Sequence, residues 1–354
     1  MKKYFTHIFH ISTVFIGTIV GAGLASGKEI SQFFTQYGTK SFLGIILCGI
    51  FYITICSLIC KISICYNLNS YSDLINKISS GILSKITTAV TTLFLISSAS
   101  IILAGSGALL NQFFGFPKVV GALLMIFISL LFLLKGTDGL IEVNSFIVPG
   151  LISIITIITV LYLLLCRDSI SLSNLNAYPQ KQGLFFSVIL YAGYNTLSAS
   201  GVLVPLSIKI KNVKTMIVGV IVGSIILTLL CTAINLLLTI NQPYIYKLEI
   251  PLLFVVNRFG SIIQATLLVI ILLEMFSTEV SDIFSISKSI SQIINISYKK
   301  TTFIIIFISF IISLFGFGTL ISKLYPLFGA LSLFFIGQCI VFFIKHRVII
   351  IKNI

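Results

Sequence analysis

Ten long apolar runs divide the chain, separated by short polar stretches. They cover about 9–34, 41–65, 86–110, 118–134, 144–166, 184–207, 214–240, 261–287, 302–316 and 324–344. A membrane-crossing helix needs about 20 apolar residues, and these runs approach or exceed that length. A membrane β-barrel would instead show segments of about ten residues with alternating polarity. The stretch 251–259, between the seventh and eighth runs, reads as a short external helix. It is opened by Pro251, a residue suited to a first helical turn. The pattern predicts an all-α polytopic membrane protein of about ten transmembrane helices. Residues 1–354 then form a single transmembrane domain.

Two runs depart from uniform apolarity. The first contains Gly17-Thr18-Ile19-Val20-Gly21-Ala22-Gly23-Leu24-Ala25-Ser26-Gly27-Lys28-Glu29. Glycine costs roughly 1 kcal/mol against alanine in a helix interior, so the helix is weakest where lipid would otherwise enforce it. Broken backbone at membrane depth survives only where protein or a cavity surrounds it. The expectation is an interruption at 20–23 that forms half of a binding site. Two other readings fit the stretch. Small-residue spacings such as Gly17-x-x-x-Gly21 also serve close helix packing. Lys2 and Lys3 followed by an apolar run resemble a cleaved signal, but His7 and His10 interrupt that run and it continues past the small residues. The sixth run repeats the signature, with Tyr191-Ala192-Gly193-Tyr194-Asn195-Thr196 at its centre. Gly193 follows Gly21 by 172 residues, near half of the 354-residue chain. Five runs precede it, so two halves, about 9–166 and 184–344, would lie inverted in the membrane. Interrupted helices in corresponding positions of inverted halves point to a transporter binding site.

Composition narrows the picture further. The chain is 57% hydrophobic and 9% charged, with a mean hydropathy of +1.15. Soluble domains carry about 25% charged residues, so no sizeable soluble domain fits. The net charge of +14 resides in short loops, which points to the membrane surface and away from nucleic acid. With the N-terminus inside, fifteen Lys and Arg, Lys135, Lys211 and Lys299 among them, fall on the cytoplasmic side. Seven, including Lys40, Arg167, Lys181 and Lys247, fall outside. That asymmetry places both termini in the cytoplasm and the protein in the inner (plasma) membrane. The seven cysteines show no metal-binding spacing, and Cys56-x-x-x-Cys60 reads as packing within a span.

The eighth run carries the polar chemistry. Glu274 falls near mid-membrane, where a charge is expensive and marks a cavity, a partner or a proton. Glu274, Thr278 and Ser281 share a helical face. Hydroxyls beside unwound carbonyls suit a hard cation, with a carboxylate to bind the ion or carry a proton. Alternatively the hydroxyls bond their own helix and Glu274 is a neutral packing residue. Glu279 and Asp282 are weaker candidates. Lys28 and Glu29 read as an outer gate or as binders of a charged solute group, and snorkelling of Lys28 to the interface fits equally. Tyr191, Tyr194 and Asn195 are pocket candidates, with packing as the alternative for the tyrosines. Asn235 in the seventh run reads as a helix–helix hydrogen bond.

Gly17-x-x-Val20-Gly21-x-Gly23 in a first span, a sixth span expected to be broken and Ser277-Thr278 in the eighth resemble the LeuT-type five-plus-five inverted repeat. Neurotransmitter–sodium symporters and amino acid–polyamine–organocation permeases share that fold. Gly21-Ala22-Gly23-x-Ala25-x-Gly27-x-Glu29 also resembles the YkvI-type bacterial membrane proteins. The resemblance implies broken first and sixth helices. It further implies a sodium ion held by the carbonyls of Gly17 and Val20 and the hydroxyls of Ser277 and Thr278. Leu24 stands where the symporters place an amide ligand for a second sodium. Glu274 replaces a small residue, which leaves proton coupling open.

The expected activity is secondary transport of a small carboxylate-bearing solute, an amino acid above others, by ion-coupled alternating access. Free N–H groups at an interrupted helix suit a carboxylate. The expected solute contacts are Gly21, Ala22, Gly23, Leu24, Tyr191, Gly193, Tyr194 and Asn195. Ion coupling falls to Gly17, Val20, Glu274, Ser277 and Thr278. The expected partners are the lipid bilayer, a small-molecule solute and a coupling sodium ion or proton, with no other cofactor. The alternative is a nutrient sensor that binds without transporting, as germination permease-like proteins are thought to. No nucleophile–base set, metal cluster or phosphate loop suggests an enzyme. Reporter fusions after Lys211 and Lys299 should report cytoplasm, and fusions after Lys181 and Lys247 the outside. Lys211 found outside would remove the inverted-repeat argument.

Overall fold

Thirteen α-helices follow one another among the described residues, and no strand occurs there. The structure, a computed structural model, describes residues 2–133, 137–166, 175 and 181–352. Lys135 and Arg167, part of the charge argument above, lie outside the described residues. The helices are α1 Lys2–Ala25, α2 Lys28–Phe33, α3 Lys40–Cys65, α4 Tyr71–Ile78, α5 Gly81–Phe114, α6 Lys118–Leu133 and α7 Thr137–Leu165. After them come α8 Leu184–Ile210, α9 Val213–Ile240, α10 Pro251–Val256, α11 Ser261–Ile294, α12 Tyr298–Ser313 and α13 Phe317–Lys352.

Eight of these are long and apolar enough to cross a membrane: α1, α3, α5, α7, α8, α9, α11 and α13. The other two apolar runs form α6 and α12, of 16 residues each. Each of the ten runs thus falls on one of these helices, and the first run also covers α2. The expected external helix at 251–259 appears as α10 followed by a 3-10 turn at Asn257–Phe259. One helix escaped the hydropathy pattern. The short helix α4 is capped by Ser70, whose Oγ accepts the Asp73 amide at 3.2 Å. It buries Tyr71, Leu74 and Ile75, the i, i+3, i+4 spacing of one helical face.

The most apolar stretch of α8 is 94% buried and those of α1 and α5 83%, against 39% in α7 and α13. Accordingly α1, α5 and α8 occupy the centre, and α7 and α13 turn much of their surface outwards. Helix α1 packs against α9 and α11 and also meets α7 and α8. Its approach to α9 is close: a Cβ on Gly223 would lie 2.9 Å from the Phe15 ring and 3.3 Å from the Ser12 backbone. There the Ser12 hydroxyl donates to the Gly219 carbonyl at 2.9 Å.

The first span is broken as expected. Gly21, with φ 42° and ψ −166°, leaves the helix inside α1, one turn before its end at Ala25. A second corner at Gly27, φ 80°, separates α1 from α2. Positive φ of this kind favours glycine, which has no Cβ to clash.

The sixth span corrects the expectation. Helix α8 runs from Leu184 to Ile210 without a break at Gly193. Asn195 and Thr196 at its centre spend their hydrogen bonds on the helix itself. Asn195 Nδ2 donates to the Tyr191 carbonyl at 3.1 Å and the Thr196 hydroxyl to Ala192 at 2.8 Å. Gly193 is a contact glycine: a Cβ there would overlap the Ser332 hydroxyl and lie 3.1 Å from the Gly329 carbonyl of α13. Across the same crossing, a Cβ on Gly329 would lie 2.6 Å from the Leu190 carbonyl. Overpacking typically costs about 1–3 kcal/mol. Gly193→Leu and Gly329→Leu should each lower the unfolding midpoint in detergent. Gly337→Leu, where nothing lies within 4 Å of the added carbon, should leave it near wild type. Unchanged midpoints in the first two variants would rule out the tight crossing.

Candidate functional site

The break at Gly21 faces α11. A Cβ on Gly21 would lie 3.4 Å from Thr278 Cγ2 and 3.5 Å from its hydroxyl. The Thr278 hydroxyl donates to the Gly17 carbonyl at 3.0 Å and lies 3.1 Å from the Glu274 carbonyl of its own helix. Of the expected ion-coupling set, Gly17 and Thr278 therefore meet directly. Val20, Ser277 and Glu274 are fully buried. Ser281, on the same face as Thr278, donates to the Ser277 carbonyl at 2.8 Å.

Helix α11 also carries three buried carboxylates, Glu274, Glu279 and Asp282. Neither oxygen of Glu274 or Glu279 has a hydrogen-bond partner among the described residues, and the same holds for Asp282 Oδ2. Asp282 lies against Ser98 of α5, and Ser98 also neighbours Tyr325 of α13.

The adjacent residues Lys28 and Glu29 diverge. Consecutive positions on a helix lie about 100° apart. The Lys28 ammonium points to the loop before α10, donating to the Leu248 carbonyl at 2.6 Å and lying 3.4 Å from that of Tyr246. The Leu252 amide donates to the Ser26 carbonyl at 3.0 Å, so the corner between α1 and α2 is tied to the same segment. Glu29 turns inwards and is only 2% exposed. Its Oε2 accepts the Tyr194 hydroxyl at 2.8 Å. Its other oxygen lies over Gly23, where any Cβ would overlap the carboxyl group. Gly23 is thus required by Glu29, whereas the break itself rests on Gly21.

Aromatic rings surround this carboxylate. Tyr194 stacks on Tyr325 at 4.5 Å and 19°. Tyr191 meets Tyr194 edge-on at 5.4 Å. Phe33 lies 5.4 Å from Tyr191 and 5.8 Å from Tyr194. Phe94 of α5 closes the group at 6.2 Å from Tyr194. The hydroxyls of Tyr325 and Tyr191 also face Glu29, although that of Tyr191 makes no hydrogen bond.

The structure brings Gly23, Tyr191 and Tyr194 together around Glu29. It places Gly193 against α13, and Asn195 on its own helix. Ala22 and Leu24 are buried apolar contacts; Ala22 packs beneath Gly105. Tyr325, Phe94, Phe33 and Ser98 were missed by sequence reasoning. Tyr325 carried a signal, a tyrosine beside Pro326 within an apolar run. Asn235 does link helices: it donates to the Ser41 hydroxyl at 2.7 Å and accepts from Thr35 at 3.1 Å.

Two cavities approach the break from opposite ends of the bundle. One of about 950 Å³ is lined by Lys28, Ser31, Gln32, Gln36, Lys181 and Lys247, among others. The other, of about 240 Å³, is lined by Val14, Gly201, Pro205, Lys209, Lys288 and their neighbours. The layer formed by Glu29 and its aromatic rings lies between them.

No established family description matches the chain. It is 30% identical over 327 residues to the uncharacterized membrane protein YkvI of Bacillus subtilis, covering 92% of this chain and 93% of that protein. The chain belongs to the YkvI family. A second Bacillus subtilis protein, the uncharacterized YyaD, is 24% identical over 319 residues, 90% of this chain and 92% of that protein. Among solved structures, MhsT in complex with L-phenylalanine superposes with a TM-score of 0.71 over 97% of this chain and 91% of that one, at 15% identity. A sodium-coupled sialic acid symporter gives 0.71 over 95% and 78%, also at 15% identity. A manganese transporter of Eremococcus coleocola gives 0.68 over 94% and 77%, at 15% identity. At such identity these likenesses establish the fold alone, and it is the LeuT fold.

The Tyr194–Glu29 contact makes a checkable demand. Removing one partner of a buried hydrogen bond costs about 1–3 kcal/mol. Tyr194→Phe and Glu29→Gln should therefore couple in a double-mutant cycle of unfolding free energies. Additive effects would mean that the two groups do not interact.

Proposed function

We propose that the chain is a secondary transporter of a small carboxylate-bearing solute, an amino acid above others, working by ion-coupled alternating access. The observation that carries this reading is the break at Gly21, held inside the bundle between two cavities that open at opposite ends. A solute bound at such a break becomes reachable from one end or the other as the helices around it tilt. The larger cavity presents Lys28, Lys181 and Lys247, which favour a carboxylate at its mouth. The solute then meets the backbone at Gly21, Ala22, Gly23 and Leu24 and the side chains of Tyr191 and Tyr194. The two halves, about 9–166 and 184–344, act as inverted repeats in the plasma membrane with both termini in the cytoplasm. Gly193 and Asn195 support α8 and do not contact the solute.

For coupling, sodium is read as co-substrate at the junction of α1 and α11. The Gly17 carbonyl and the Thr278 hydroxyl are 3.0 Å apart, and Val20 and Ser277 are the further donors of the set. MhsT's bound L-phenylalanine and the sodium coupling of the sialic acid symporter agree with this choice of solute and ion. One observation favours a proton instead: both Glu274 oxygens lack a partner, and a buried carboxylate takes either a cation or a proton.

The two cases separate by mutation. Under sodium coupling, Thr278→Val should weaken sodium-dependent amino-acid binding by roughly 1–3 kcal/mol, about 5- to 150-fold, and Glu274→Gln should weaken it too. Under proton coupling, Thr278→Val should be nearly silent. Glu274→Gln should then abolish pH-driven accumulation in proteoliposomes while exchange survives. Sodium-independent binding with normal uptake in both variants would remove this junction from the mechanism.

A further inference from the structure

We propose that Glu29 is an ammonium-binding group, and that the solute is an amine or amino acid whose ammonium pairs with it inside the ring group of Tyr191, Tyr194, Tyr325, Phe33 and Phe94. The inference rests on the transporter reading and names the end of the solute that the site recognises.

The Glu29 carboxylate already lies over Gly23, at the start of the helical piece that follows the break. An anion belonging to the protein therefore stands where a solute carboxylate was expected. A second carboxylate there would be repelled, so the complementary solute group is a cation.

The surroundings of Glu29 lack that cation. Among the described residues no lysine or arginine forms an ion pair with it; the ion pair recorded is Lys118 with Glu249 at 2.8 Å. Its neighbour Lys28 is committed to the carbonyls of Leu248 and Tyr246. The hydroxyl of Tyr194 and those facing it from Tyr191 and Tyr325 are neutral donors. They orient the carboxylate without balancing its charge. Aromatic faces around a carboxylate suit an ammonium group, which is attracted to both.

Access follows from the same short helix. Lys28, Ser31 and Gln32 of α2 line the larger cavity, while Glu29, Ile30 and Phe33 are buried. Glu29 is thus one helix thickness from that cavity. The positive-φ glycines Gly21 and Gly27 mark the two corners between α2 and the inner part of α1. Lys181 and Lys247, which also line that cavity, are left to draw an amino acid in by its carboxylate before its ammonium reaches Glu29.

Matched solute sets test the proposal on the full purified chain: glycine, methylamine and acetate; L-alanine, ethylamine and propionate; L-leucine, isoamylamine and isocaproate. Calorimetric binding should find at least one set in which the amino acid and the amine bind and the acid does not. Glu29→Gln, checked for folding by size exclusion, should weaken both at least tenfold. An acid that binds as well as its amino acid overturns the proposal, as does wild-type affinity in Glu29→Gln or an absence of amine binding in all three sets. The comparison on the unmodified chain stands even if the variant does not fold. Uptake into proteoliposomes separates the two readings. Acid uptake unaffected by Glu29→Gln keeps the transporter and removes the ammonium site. Glu29-dependent amine binding without uptake keeps the site and removes the transporter.

Discussion

A backbone that leaves the helix inside a membrane-spanning bundle has no water to satisfy it, so protein must surround it on every side. The turn at Gly21 imposes that constraint, and much of the bundle is explained by it. Helix α1 lies at the centre because the break does. Helix α9 is furnished with Gly219 and Gly223, so α1 can approach it to backbone contact. Helix α11 brings Thr278 to the open side of the break, where its hydroxyl meets a carbonyl of the inner piece. The loop before α10 receives the outer corner through Ser26 and Lys28. Remove the break, and the reason for these approaches disappears.

Glycine marks two different things in this chain, and hydropathy alone does not separate them. At Gly21 and Gly27 it permits a backbone conformation. At Gly193 and Gly329 it permits two regular helices to touch. Both patterns look the same in sequence: small and polar residues inside an apolar run. The first span was read correctly because its glycines are dense enough to weaken the helix itself. The sixth is continuous where a break is expected, because Asn195 and Thr196 return their hydrogen bonds to their own helix. The ten-run layout was legible, since bilayer thickness fixes helix length. The ring group around Glu29 was not. Its members come from α2, α5, α8 and α13, and only tertiary packing unites them.

The divergence of Lys28 and Glu29 shows how much a single helical step decides. The two residues adjoin in sequence and read as one gate. On α2 they face different surroundings, one towards the loop and the larger cavity, the other towards the aromatic interior. Lysine finds backbone carbonyls and keeps its long stem on the protein surface. Glutamate finds phenols. The pair therefore divides across α2, the lysine towards the cavity and the glutamate towards the aromatic interior.

Charge follows a wider geography of the same kind. The chain has nine acidic residues, and among the described residues Glu29, Glu274, Glu279 and Asp282 are almost wholly buried. The basic residues that produce the net charge of +14 lie mainly at the ends of the bundle. Such a distribution is costly if the interior carboxylates stay bare, because a low-dielectric interior penalises isolated charge. Packing alone would have been served better by apolar side chains of similar volume. Keeping four acids on α2 and α11, which both lie against the broken part of α1, makes sense if cations enter the interior and leave it again. A proton, a sodium ion and a solute ammonium all satisfy that requirement. On the proposed reading, solute recognition and ion coupling meet one physical need, the neutralisation of buried carboxylates that have no ion pair among the described residues.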